Sequence, residues 1–163
     1  MFFENEIKKI SERTNGRIAI FVDMDGVVAD YRFGEGQNIV DNVEGTYLKK
    51  RAIKTTIKTL KKVNDMFDYD MFILSSCRFD SQVEEKRVWL EKHMPFIKPE
   101  NQLFVLSDTF EDRKMLKINK IKQVLNRGYI KAIMVDDTHD ILFLAINELK
   151  DKVVPFHVIA LID

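Results

Sequence analysis

The chain has 163 residues, of which 45% are hydrophobic and 32% are charged, and its formal net charge at pH 7 is zero. This balance is typical of one globular domain and gives no overall electrostatic attraction to nucleic acid or membranes. The single cysteine excludes an internal disulfide, and the charged N-terminal segment is not typical of a signal peptide. Because no apolar run approaches the roughly 20 residues of a membrane span, we expect a soluble, cytoplasmic protein.

Apolar runs and helical segments alternate along the chain. Helical spacing or helix-ending residues mark five segments, which are 4–16, 53–63, 80–95, 119–129 and 140–151. Five short apolar runs are typical of buried strands, and they are 17–23, 70–76, 101–108, 131–137 and 155–163. The alternation predicts a single α/β domain over 1–163, with a Rossmann-like parallel sheet of about five strands and helices on both faces.

One segment breaks this alternation. Residues 31–48 follow the first predicted strand directly, are polar and contain three glycines. We interpret this segment as a short flap or minimal cap insert over the strand ends. In doubly wound sheets, ligands bind outside the carboxyl ends of the strands, so such a flap would lie beside the binding site.

The sequence "DMDG" places two acids where the first strand gives way to a turn. Asp23 and Asp25 are two residues apart, and Gly26 allows the backbone to bend sharply. Two close carboxylates attract a hard cation such as Mg²⁺, which takes oxygen ligands and bridges to phosphate. The metal would keep Asp23 ionised as a nucleophile, and Asp25 could serve as a general acid and base. A DxD pattern is short, and an Asp-rich turn without function fits it equally well.

Polar residues also end other predicted strands. The run "VDD" at 135–137 adds two acids, "ILSS" at 73–76 adds hydroxyls, and lysines cluster in 113–124. The carboxyl ends of parallel strands share one edge of the sheet, so these groups would meet there. Phosphoryl transfer requires such a set, with an acceptor, a metal ion, and cationic or hydroxyl groups on the phosphate oxygens.

These motifs resemble those of a known family. The run "DMDGVVAD" at 23–30 resembles the first motif, DxDGxxxD, of the haloacid dehalogenase (HAD) superfamily of aspartate-nucleophile phosphatases. The run "ILSS" resembles the second motif of that superfamily, and "MVDD" at 134–137 resembles the fourth. The order and spacing match from Ile18 to about Asp140. Asp at position 25 favours a phosphatase, because HAD dehalogenases lack that acid and HAD transport ATPases carry Thr there.

The resemblance implies a role for each matching residue. Asp23 would be the nucleophile and a Mg²⁺ ligand, and Asp25 the general acid and base with its backbone carbonyl on Mg²⁺. Ser75 would bind the phosphoryl oxygens. Asp136 would be a further Mg²⁺ ligand, and Asp137 a second acid near the metal.

The resemblance also requires a lysine, near the start of the helix before the fourth strand. The run "NKIKQVL" favours Lys120 for this role, although Ile121 stands where relatives have Gly. The alternatives left open are Lys114, Lys117 and Lys122. Arg78, which follows the second motif, is a candidate for holding a substrate phosphate or a loop residue at the surface.

Two longer segments resemble one branch of the superfamily, the 5'(3')-deoxyribonucleotidase-like proteins. These segments are "GTYLKKRAIKTTIKTLKKV" at 45–63 and "EEKRVWLEKHMP" at 84–95. That branch carries a helical cap of several dozen residues between its first two motifs, whereas 44 residues separate Asp30 from Ser75 here. We therefore expect a reduced cap and a more open site.

The hypothesis from the sequence is a Mg²⁺-dependent phosphomonoester hydrolase with nucleoside monophosphates as the leading substrates. One alternative is a phosphatase that acts on polynucleotides or other macromolecules, because the site is open and residues 49–62 are basic. The other alternative is a non-catalytic binding protein on the same fold. Nothing in the sequence predicts the oligomeric state.

Overall fold

A computed structural model describes residues 2–33, 37–38 and 45–162 of the chain. Five α-helices lie within them: α1 (Phe2–Arg13), α2 (Lys54–Met66), α3 (Asp80–His93), α4 (Phe110–Leu125) and α5 (His139–Leu149). The strands of these residues are β1 (Arg17–Val22), β2 (Ala29–Phe33), β3 (Gln37–Asn38), β4 (Lys50–Ala52), β5 (Asp70–Cys77), β6 (Gln102–Leu106), β7 (Tyr129–Asp136) and β8 (Val153–His157).

Five of the strands form one parallel sheet, in the order β6-β5-β1-β7-β8. The prediction of a Rossmann-like parallel sheet is therefore confirmed. From β1 the chain adds β5 and β6 on one side and then β7 and β8 on the other. The direction in which the chain adds strands to the sheet therefore reverses between β1 and β7. In such sheets, ligands bind at the carboxyl ends of the strands beside this point.

An apolar layer lies on each face of the sheet. Alternate side chains of β1 face opposite layers. Ile18, Ile20 and Val22 face one layer, which also contains buried residues of α1, α2 and α3. Ala19 and Phe21 face the other layer, which contains buried residues of α4 and α5. Because both faces are covered, the strand is apolar throughout, as parallel sheets require. The prediction of helices on both faces is confirmed.

Two predicted elements differ from the structure in extent. The run 155–163 was expected to be a strand, but β8 ends at His157 and the residues Val158–Leu161 form a 3₁₀ helix. The helix predicted over 119–129 begins earlier, because Thr109 caps it by accepting a hydrogen bond from the backbone N–H of Asp112 at 3.2 Å. With this start, α4 extends more than two turns before the predicted helix. The added turns include Lys117, which lies at the site described below.

A second, antiparallel sheet is formed by β3, β2 and β4, in that order. Two of its strands lie within or at the start of the predicted flap at 31–48, but residues 34–36 and 39–44 are outside the described part of the chain. The flap therefore stays a prediction. None of the helices in the described part is both long enough and apolar enough to cross a membrane.

Candidate active site

The turn after β1 fixes the positions of the first two acids. The backbone N–H of Asp23 donates to the carbonyl of Val135 at 3.0 Å, which continues the pairing of β1 with β7. Gly26 then adopts a φ of +77°, a conformation that side chains disfavour. A Cβ atom at this position would collide with the Asp137 carboxylate and the Tyr31 ring. The glycine therefore permits both the turn and the close approach of β7.

One lysine joins the acids at the ends of β1 and β7. The Nζ atom of Lys117, on α4, lies 2.8 Å from Oδ1 of Asp23 and 3.0 Å from Oδ2 of Asp136. All three side chains are buried. A buried charge is tolerated only when it is paired, so these contacts hold Lys117 in place and orient both carboxylates.

The charge of Asp23 is only partly compensated. Burial raises the pKa of this carboxyl, Lys117 opposes the rise, and the negative charges of Asp136 and Asp25 add to it, so that the pKa reaches about 7. Burial lowers the pKa of Lys117, but the two carboxylates outweigh burial and raise it above its ordinary value. The cluster therefore holds a protonated lysine and lacks one further positive charge.

Three carboxylates lie close enough to share a cation. Asp23, Asp136 and Asp137 each offer an oxygen within 4.8 Å of the others. Thr138 orients two of these groups, donating from its backbone N–H to Asp136 at 2.9 Å and from its hydroxyl to Asp137 at 3.2 Å. Carboxylate oxygens keep lone pairs beyond these bonds, and hard oxygen ligands suit Mg²⁺. The donor set and its unbalanced charge thus fit a divalent cation.

Tyr31 closes this cluster on one side. Its hydroxyl donates to Oδ2 of Asp137 at 2.7 Å and lies 3.4 Å from the backbone carbonyl of Asp25. Burial raises the pKa of Tyr31, and the hydrogen bond to Asp137 raises it further, so the phenol remains a donor. The Asp25 carbonyl therefore lies beside the acidic cluster, whereas its side chain points elsewhere.

The carboxylate of Asp25 is held by two lysines. Oδ1 lies 2.5 Å from Nζ of Lys50, on β4, and Oδ2 lies 2.8 Å from Nζ of Lys86, on α3. Burial raises the pKa of Asp25, but Lys86 and Lys50 outweigh burial and hold it well below its usual range. In the absence of substrate, Asp25 is therefore ionised.

The same aromatic ring lies close to both lysines. Their Nζ atoms lie 4.6 Å (Lys50) and 4.8 Å (Lys86) from the centre of the Tyr47 ring, and each can make a cation–π contact with it. Glu85 holds this segment by accepting from the backbone N–H groups of Gly45 at 2.7 Å and Tyr47 at 3.0 Å. The small sheet and α3 thus jointly place two cations on Asp25.

These groups surround one cavity of about 180 Å³. Its lining includes Asp23, Asp25, Lys50, Ser76, Lys86 and Lys117. The volume is below that of pockets which enclose a drug-sized ligand. As formed by the described residues, the cavity is large enough for a phosphoryl group and only part of the molecule attached to it.

The sequence favours Lys120 for the third motif, but the structure places Lys117 beside the acids. Lys120 is not among the residues that line the cavity, and Lys117, an alternative left open, contacts Asp23 and Asp136. The preference for Lys120 follows from a helix predicted to start at residue 119, whereas α4 starts at Phe110. With α4 beginning at Phe110, Lys117 shares a face with the buried Ile121 and Val124, four and seven residues later. Lys120, three residues after Lys117, is only partly buried.

The two residues predicted to bind phosphate, Ser75 and Arg78, differ in whether they line the cavity. Ser75 is fully buried, and its hydroxyl accepts from Nζ of Lys86 at 2.7 Å. Side chains alternate along β5, so Ser75 faces the α3 layer while Ser76 lines the cavity. The contact of Ser75 with a phosphoryl group therefore stays a prediction, and Ser76 is the serine of this motif that lines the cavity. Arg78 lines the cavity, as the prediction requires.

Lys50 and Lys86 were missed at the level of sequence. Lys86 lies three and four residues before Trp89 and Leu90, which are both buried, and a lysine on such a face indicates a buried partner. Lys50 stands in the basic run "LKKR", where nothing in the sequence distinguishes it from its neighbours. Only the pairing of β4 with β2 places it near Asp25.

Comparison with protein-family models gave no matching family, and a search of curated proteins gave no match. The arguments for a function therefore come from the geometry of the site and from the motifs.

Proposed function

We propose that this protein is a Mg²⁺-dependent phosphomonoester hydrolase of the HAD type, acting through an aspartyl-phosphate on Asp23. The observation that carries the proposal is the buried Asp23–Lys117–Asp136 arrangement at the carboxyl ends of β1 and β7. It combines a carboxylate nucleophile and a cation that line the cavity with a further buried acid that contacts the same cation. A purely structural ion pair needs no cavity and no additional acid.

Asp23, Asp136 and Asp137 would hold the Mg²⁺ ion, with the Asp25 backbone carbonyl beside them. When bound, the ion neutralises negative charge on the phosphoryl group and on the carboxylates. It also restores the ionised form of Asp23, whose pKa is about 7 without a cation. Lys117 holds Asp23 in place and offers a positive charge to the phosphoryl oxygens, and Ser76 offers a hydroxyl.

In the first step, a carboxylate oxygen of Asp23 attacks phosphorus, the bond to the leaving oxygen breaks, and Asp25 donates a proton to that oxygen. In the second step, Asp25 takes a proton from water as the water oxygen attacks phosphorus. This releases inorganic phosphate and regenerates Asp23.

The two lysines determine when Asp25 can act as an acid. Lys50 and Lys86 keep it ionised in the free site, which suits only the second step. A phosphomonoester dianion beside these lysines would compete with Asp25 for their positive charge. The pKa of Asp25 would then rise toward the range that a general acid needs.

Nucleoside monophosphates are the leading substrates, because the segments 45–63 and 84–95 resemble the 5'(3')-deoxyribonucleotidase-like branch. These segments supply Lys50 and Lys86, the two lysines on Asp25. Since both lysines contact Asp25 and would act on any phosphomonoester, the preference for nucleoside monophosphates comes from the resemblance alone.

The test is turnover of p-nitrophenyl phosphate and a panel of phosphomonoesters by purified protein. We expect turnover that EDTA abolishes and Mg²⁺ restores, and that Asp23→Asn abolishes. Asp68→Asn is the matched control, since Asp68 is exposed and outside the site. If the protein turns over no substrate with Mg²⁺, the proposal fails in favour of a binding protein. If Asp23→Asn retains full activity, the proposal fails because Asp23 is not the nucleophile.

A further inference from the structure

A second concave surface lies on the other side of β4 from the catalytic cavity. We call it the basic groove; it lies between α2, β4 and the end of α3 and encloses about 900 Å³. Five cationic side chains line it: Arg51, Lys54, Lys58, Lys61 and Lys92. None of the described residues that line it is acidic. Because the chain as a whole is neutral, this concentration of positive charge is a local feature.

The positive charges form a row. Lys54, Lys58 and Lys61 are spaced by four and three residues on α2, so they lie on one face of the helix. Lys61 is paired with Asp65 on the same helix at 2.6 Å. Within the described part of the chain, Lys54, Lys58 and Lys92 are exposed and form no ion pair. A row of this kind favours a ligand that carries several regularly spaced negative charges.

The floor of the groove is apolar and aromatic. It is formed by Ala52, Ile57, Pro95 and Phe96, with His93 beside them. The Nζ atom of Lys61 lies 5.8 Å from the centre of the Phe96 ring. A simple solvated helix face has no such floor, and a ligand that carries only negative charges would leave it uncovered. Grooves that bind single-stranded nucleic acid combine cations for the phosphates with aromatic surfaces for the bases.

The strand β4 joins the groove to the catalytic cavity. Lys50 lines the cavity, whereas the next residue, Arg51, lines the groove. Trp89 lies between the cavity and the groove. Its Nε1 donates to the Lys50 carbonyl at 2.9 Å, and its ring centre lies 4.5 Å from the ring centre of His93. A chain lying in the groove would therefore have its end close to the catalytic cavity.

We propose that the basic groove binds the backbone of single-stranded nucleic acid. The row of lysines contacts successive phosphates, and the apolar floor contacts the bases or sugars. This inference rests on the groove alone and does not depend on the phosphatase chemistry of the neighbouring cavity.

The test is the anisotropy of a fluorescent oligothymidine of about 12 nucleotides, within the known site sizes of such grooves, titrated with the full chain at several salt concentrations. The groove variant is Lys54→Gln/Lys58→Gln/Lys92→Gln. Each lost phosphate contact flattens the plot of log K against log salt by about 0.7, so we expect a slope flatter by about 2 and binding about 100-fold weaker at 0.1 M salt.

The matched control is Lys8→Gln/Lys122→Gln/Lys152→Gln, which removes the same charge outside the groove. The control should bind as the wild type does. The proposal is overturned if wild-type protein does not bind the oligonucleotide, if both triple variants weaken binding equally, or if poly-glutamate displaces the oligonucleotide as well as unlabelled oligonucleotide does. Since the measurement involves no turnover, its failure is distinct from failure of the proposed hydrolase function.

Discussion

Replacing Asp23 by Asn should stabilise the metal-free protein at pH 8, although it removes the proposed nucleophile. The pKa of this buried carboxyl rises from 3.8 to about 7 on folding. In the interval between these values, the unfolded chain has released the proton while the folded protein retains it. The free energy of unfolding therefore decreases as pH rises from about 4 to 7.

The size of the effect follows from the same shift. At about 1.4 kcal/mol per pKa unit, a rise to about 7 costs the wild type at most about 4 kcal/mol at pH 8. The Asn variant avoids this cost but deprives Lys117 of one of its two carboxylate partners, which reduces the gain. We expect the variant to be more stable by about 2 kcal/mol at pH 8.

The assay is urea unfolding in EDTA at pH 8 and pH 4, with Asp68→Asn as the exposed control. The gain should shrink toward pH 4, which is close to the unfolded-state pKa of 3.8, because little of the pKa difference then contributes to stability. The control should show no gain at either pH. Saturating Mg²⁺ at pH 8 should reverse the order, because a cation binds the folded wild type more tightly. A variant less stable than wild type at pH 8 in EDTA, or a gain independent of pH, would refute the electrostatic argument.

Three further substitutions have defined outcomes. Gly26→Ala should destabilise by about 2 kcal/mol or more in urea unfolding, and by more than Gly128→Ala, which has a similar positive φ but open space around the added Cβ; equal losses would mean that the collision is unimportant. Lys117→Met should abolish phosphatase activity while Lys120→Met retains it, and the reverse result would restore the assignment from sequence. Trp89→Phe removes the hydrogen bond from the indole N–H to the Lys50 carbonyl and should cost about 1 kcal/mol in thermal or urea unfolding; an unchanged stability would contradict the role of this bond.

The sheet could be predicted because its signals are local. Each parallel strand is an apolar run in the sequence, and alternation with helical segments determines the fold class. The acids could be predicted for the same reason, since Asp23 and Asp136 directly follow or end apolar runs whose carboxyl ends meet. The end of β8 was harder to predict, because the apolar run continues through the 3₁₀ helix that follows it.

The lysines of the site depend on contacts that are distant in sequence. Lys117 contacts Asp23 across 94 positions and Lys86 contacts Asp25 across 61. The sequence alone does not distinguish a surface lysine from a buried one. The only local indication is whether the lysine lies on the same helix face as the surrounding apolar residues. Lys114 and Lys117 are both compatible with the apolar face of α4, and only the contacts with Asp23 and Asp136 distinguish Lys117. For Lys50, the pairing of two short strands carries the information, and no periodicity reveals it.

The central claim is that Asp23 becomes phosphorylated, and borohydride trapping tests it most directly. Sodium borohydride reduces an acyl-phosphate on aspartate to homoserine, which peptide mass spectrometry locates by residue. With Mg²⁺ and a turned-over phosphomonoester, we predict homoserine at position 23, and none when EDTA is present or when substrate is omitted. Release of phosphate from substrate with no reduced residue at position 23, or with the reduced residue elsewhere, would contradict the account.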